Sequence, residues 1–133
     1  MKIMRSLFFL PLLIGFSGSA FADSETFKID VSAEGYRDYI LSGTDRNGSV
    51  SGNDPTVTVN KGDSIIFDIY ASRHPFYIKT KFSRGGGDQV TTGILSGTPG
   101  TQNGTLSWNT KGVSRGKYYY VCSPHAPFGM GGS

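Results

Sequence analysis

Three residues that bind soft metal ions crowd into one short stretch near the end of the chain. They are Cys122, His125 and Met130, within Cys122-Ser123-Pro124-His125-Ala126-Pro127-Phe128-Gly129-Met130. Thiolate, imidazole and thioether are the soft and borderline ligands that suit copper in either oxidation state, with methionine as the weak axial donor and a second imidazole completing a trigonal set. The chain has one other histidine, His74. Cys122 is the single cysteine, so no intramolecular disulfide can hold it, and an oxidising compartment would demand that it be buried or metal-bound. Singly, each ligand has a plainer reading: His74 as an ordinary loop histidine, Met130 as an exposed near-terminal methionine, Cys122 as a buried small hydrophobe. Taken together, the donor types favour copper, with zinc the lesser rival because a thioether contributes little to it.

Elements of a particular kind must position these residues. From Asp23 onward the apolar residues alternate with polar ones, and clusters of Gly, Asn, Asp and Pro separate the runs, which is the pattern of short β-strands. The rows are Phe27, Ile29 and Val31; Tyr39 and Leu41; Val57 and Val59; Ile65, Phe67 and Ile69; Phe76 and Ile78 running toward Phe82; Leu106 and Trp108; and Tyr118, Tyr120 and Cys122. Asn60-Lys61-Gly62-Asp63 reads as a turn, and Ser83 to Asn103 as loop with one short strand at Ile94-Leu95. No helical period is present. Seven to eight strands in 111 residues predict an all-β fold, a two-sheet sandwich in one domain over 23–133. Strand alternation puts Tyr118 and Tyr120 on the same side as Cys122.

Residues 1–22 read as a secretory signal peptide: Lys2 and Arg5, an apolar run from Leu7 to Phe16, then small residues ending at Ala20-Phe21-Ala22. The run is too short to span a bilayer. The expected product is soluble, exported and most at home in a periplasm. The chain is formally +3, and without Lys2 and Arg5 it is +1, so the basic balance predicts neither a nucleic-acid face nor a strongly charged docking surface. Gly85-Gly86-Gly87 lacks the following lysine and helix of a phosphate loop, and no triad or paired-carboxylate site is evident, so no enzyme is expected.

The segment Gly116-Lys117-Tyr118-Tyr119-Tyr120-Val121-Cys122 with the ligand loop after it resembles the G-x-Y-x-Y-x-C-x2-H-x4-M ending of plastocyanin and the small blue-copper proteins, the cupredoxins. Val57 to Asp68 looks like their early strand pair, and the step of 48 residues from His74 to Cys122 is also similar. The resemblance implies a Greek-key sandwich and one copper ion held by His74, Cys122, His125 and Met130. It further implies single-electron shuttling by a monomer, with redox partners docking on an apolar rim of Pro124, Ala126, Pro127 and Phe128 around His125. A copper storage or delivery protein is the alternative, and a metal-free adhesion sandwich a third. Three departures stand out. Val121 replaces the tyrosine that precedes the family's cysteine, Pro75 replaces the asparagine after its first histidine, and the family continues beyond its methionine into a further strand where this chain has Gly131-Gly132-Ser133.

Overall fold

The alternating rows form strands, and the burial of each strand follows the alternation. In the computed structural model, residues 1–4 and 23–133 are described. They form an all-β sandwich of mixed sheets and no closed barrel. Of the expected signal peptide, residues 5–22 lie outside the described residues, while Lys2–Met4 form a short strand, β1.

The larger layer is built from β2 (Thr26–Glu34), β3 (Asp38–Asp45), β4 (Gly48–Asn53), β6 (Ser64–Tyr70), β8 (Ile94–Ser96) and β9 (Asn103–Asn109), in the order β4-β3-β2-β6-β9-β8. β2 runs parallel to β6, and the other pairs are antiparallel. Here β5 (Thr58–Asn60), β7 (Phe76–Lys79), β10 (Gly116–Lys117), β11 (Tyr119–Cys122) and β12 (Gly131–Gly132) make up the second layer together with β1. It consists of two three-stranded runs, β12-β11-β7 and β10-β1-β5, joined through Tyr118 between β10 and β11. The turn Asn60-Lys61-Gly62-Asp63 links β5 to β6, and the one strand expected between Ser83 and Asn103 is β8. Phe82 lies beyond the end of β7 and is exposed.

Ile29, Leu41, Ile65, Phe67, Ile69, Leu106 and Trp108 of the larger layer are fully buried, as are Val59, Phe76 and Tyr120 of the second. Each such side chain contributes roughly 1.5–3 kcal/mol relative to exposure. Strand β4 is not foreseen by alternation. Its sequence, Gly-Ser-Val-Ser-Gly-Asn, offers only Val50 to the core, and as an edge strand it needs no more. The core's aromatic spine leads to one end of the sandwich: Phe67 contacts Phe76 at 4.9 Å between ring centres, Phe76 stacks on Tyr120 at 5.9 Å, and Tyr39 meets Phe76 at 5.3 Å.

Candidate metal centre

His74 is delivered by a tight turn at the end of β6. Its amide donates to the Ala71 carbonyl at 2.9 Å, and the Ala71 amide donates to the Gln102 carbonyl at 2.8 Å. Arg73 takes a left-handed backbone, φ 71°, with its amide on the Gln102 side-chain oxygen at 2.8 Å. A non-glycine residue in that region stores strain of about 1 kcal/mol or more, and neighbouring contacts must hold it there. The buried Tyr39 hydroxyl donates to the His74 carbonyl at 2.8 Å, fixing the other side of the turn. Pro75 then leads into β7, and its carbonyl accepts the Ser123 amide at 3.3 Å.

Cys122 ends β11 opposite Phe76 of β7, so strand pairing brings it beside the turn that carries His74. The loop after it is closed by its own backbone. The His125 amide donates to the Cys122 carbonyl at 3.2 Å, and the His125 carbonyl accepts from Phe128 at 2.9 Å and Met130 at 3.4 Å. A 3-10 turn over Ala126–Phe128 ends at Gly129 in a left-handed conformation, φ 84°, where glycine carries no Cβ penalty. The Cys122 amide donates back to the Met130 carbonyl at 3.1 Å. Gly131 follows at φ 144°, where a Cβ would collide with the Tyr120 carbonyl, and its amide donates to the Asp54 carboxylate at 3.1 Å.

Together these elements converge three donor atoms. His74 Nδ1 and His125 Nδ1 are 3.1 Å apart, and Cys122 Sγ lies 3.3 Å from His125 Nδ1 and 3.6 Å from His74 Nδ1. All three lie within reach of a single ion. A triangle with these sides has its centre roughly 1.9 Å from each corner, near the ~2.0–2.1 Å of a metal–nitrogen bond and a few tenths of an ångström short of a metal–sulfur bond. Cys122 and Met130 are fully buried, and the two histidines are half-buried. Burial, followed by the nearby His125, holds His74 below its usual range, which favours the neutral ring that metal ligation requires. Burial pushes the Cys122 thiol up, against the His125 amide and Tyr39 hydroxyl that favour its thiolate. Met130 belongs to the same buried core as Cys122, and the backbone bond between the two is its tie to the centre. His74, Cys122 and His125 could therefore hold a metal ion. Compared with known proteins, the chain matches no family model, no curated protein and no solved structure.

Several residues that shape the centre escaped the motif. Tyr36 is 48% exposed and lies edge-on to Phe128, 53% exposed, with ring centres 5.1 Å apart, and 6.0 Å from the His125 ring. It extends the rim expected from Pro124, Pro127 and Phe128, whereas Ala126 is buried and offers little surface. Tyr39, Asp54 and Gln102 act through backbone contacts made by distant strands, for which no local signal exists. Lys79 is buried, its ammonium donating to the Ser83 and Gly85 carbonyls at 2.8 and 2.9 Å. It clasps the glycine-rich loop whose Gly85 amide donates to the Ser123 carbonyl at 3.1 Å, inside the ligand loop.

Proposed function

We propose that this protein is an exported blue-copper electron carrier in which His74, Cys122, His125 and Met130 would together hold one copper ion. The observation that carries this reading is the convergence of two imidazole nitrogens and one buried sulfur on a common centre. Two nitrogens, one thiolate and a nearby thioether form the donor set of trigonal copper sites, while a thioether adds little for zinc. Bound copper would supply a one-electron couple between its two oxidation states. The chain's part is to keep the ligands still: Tyr39 and Gln102 fix the His74 turn, and the Cys122–Met130 and His125–Met130 backbone bonds fix the loop. A donor set that does not rearrange keeps the barrier to electron transfer low.

The exposed aromatics Tyr36 and Phe128, with Pro127, make an apolar approach to His125 for a redox partner. Export rests on the charged, apolar and small-residue pattern of 1–22. No helix among the described residues is long and apolar enough to cross a membrane. The test is an absorption spectrum of the copper-loaded protein. An intense visible thiolate-to-copper band, lost in Cys122→Ser, is expected. A colourless protein with stoichiometric Cu(II) bound overturns the reading, and a preference for zinc over copper points to a different site.

A further inference from the structure

In the second layer, two strands from opposite ends of the chain line up as one. β12 pairs Gly131 with Val121 and Gly132 with Tyr120, and β1 pairs Lys2 with Lys117 and Ile3 with Gly116. Between them, Met1 exchanges both backbone bonds with Tyr118: the Tyr118 amide donates to the Met1 carbonyl and the Met1 amine to the Tyr118 carbonyl. Opposite Val121 down to Gly116, the facing strand therefore reads Gly131, Gly132, Ser133, Met1, Lys2, Ile3. Met1 stands where a residue following Ser133 would stand. The other edge gives the same register. Val57 donates to the Ser133 carbonyl at 2.9 Å and accepts from the Lys2 amide at 2.7 Å. In a parallel ladder those are a residue's bonds to the neighbours before and after its partner, and the partner's place is again Met1.

The side chains obey a strand pattern too, with Met1 and Ile3 buried and Lys2 exposed, and the Met4 carbonyl accepts the Lys61 amide at 3.0 Å. A cavity of about 390 Å³ sits at the junction of Ser133 and Lys2. The amine alone is ill-suited. Burial, then the charge of Lys117, pushes it from 8.0 down to about 4, so this end must shed a proton to enter, whereas a peptide amide in its place carries no charge to desolvate.

We propose that the groove between β5 and β10 is a strand-acceptor site whose fitting occupant is a short peptide strand running directly on from Ser133, apolar at its first and third positions, with Met1–Met4 holding the groove in its stead. Without a strand there, β5 and β10 face each other with unpaired backbone groups, and the core loses two apolar side chains. Strand addition to such edges draws affinity from main-chain bonds and selectivity from alternate side-chain pockets.

The experiment uses the full chain without metal, so its outcome is independent of the copper reading. Ile3→Asp is expected to lower the thermal midpoint by about 10 °C or more and to unprotect the Tyr118 and Lys61 amides in hydrogen exchange. Appending Met-Lys-Ile-Met after Ser133 in the Ile3→Asp chain is expected to restore both, and appending Asp-Lys-Asp-Met is not. In the otherwise unaltered chain, the appended Met-Lys-Ile-Met should displace the N-terminal strand and leave the Ile3 amide open to exchange. Failure of the apolar extension to restore protection would overturn the proposal, as would an Ile3→Asp chain indistinguishable from the parent.

Discussion

Two buried polar clusters lie at opposite ends of β6, and they are built on opposite principles. Before β6, Asp63 is fully buried and every contact is answered. Its carboxylate accepts from Arg46 at 2.7 and 2.8 Å, from the Glu25 amide at 2.9 Å and from the Asn60 amide at 2.8 Å. Arg46 also lies over the Phe27 ring and donates to Glu25 and to the Asp23 carbonyl. Beyond β6, the nitrogens of His74 and His125 and the sulfur of Cys122 converge on one point from three separate positions in the chain. The first cluster is complete as protein and holds strands in place. Three convergent bases, by contrast, gain most from a positive ion at their centre. Burial of polar atoms is therefore not what marks a site; convergence of metal-binding donors on one point is.

Breaking the complete cluster should do the most harm. Asp63→Ala leaves two amides without their acceptor and Arg46 with only the Glu25 carboxylate and the Asp23 carbonyl, and urea unfolding of the metal-free protein should show a loss of about 3–5 kcal/mol. Cys122→Ser should cost the metal-free fold far less, while removing the metal. If the two variants are equally destabilised, the contrast between the clusters fails.

Next in size is the outer surroundings of Cys122. Proline at position 75 has no N–H to donate to the sulfur. A donor there would drain charge from a thiolate and favour Cu(I), so Pro75→Asn should raise the reduction potential with the visible spectrum intact, by at most roughly 1.5–3 kcal/mol in equivalent energy. A potential that stays or falls shows that the position does not face the sulfur. Tyr39→Phe removes the hydroxyl bond to the His74 carbonyl and should lower stability by about 1 kcal/mol. It should also broaden the metal centre's spin-resonance spectrum as the His74 turn loosens; an unchanged line would make Tyr39 a packing residue only.

The smallest effect separates two aspartates by sign. Burial alone would raise Asp63, but the hydrogen bonds from Arg46, Glu25 and Asn60 hold its carboxyl below the usual range. Its contribution is present above the unfolded value and is lost as pH falls through the folded one. Burial raises Asp54 from 3.8 to about 6, against the bonds it accepts from the Tyr39 and Gly131 amides. Its folded form prefers the proton, so its contribution is present below pH 3.8 and is lost as pH rises through about 6. Asp54→Asn keeps an acceptor for both amides. It should flatten the fall in stability between pH 4 and 6 by under about 1 kcal/mol once solvent screening is allowed for, read as thermal midpoint against pH. A slope equal to that of the parent would show that Asp54 does not titrate abnormally.

Much of the architecture was legible in the residues themselves. Period-two alternation marked most of the long strands because a half-buried strand must alternate, and the spacing of Cys122, His125 and Met130 was readable because one loop carries all three. Strand β4, with Val50 as its single inward apolar residue, was not legible, since an edge strand can be nearly all polar. The meeting of His74 with Cys122 across 48 residues was decided by the pairing of β7 with β11 and by the strained turn at Arg73. So were the Asp54 tie to Gly131, the Tyr36 extension of the rim and the register that sets Met1 after Ser133. Local pattern carries periodicity and ligand type because both are properties of neighbouring residues; contacts between strands distant in sequence depend on which edges pair, and that is settled only when the two layers close on one core.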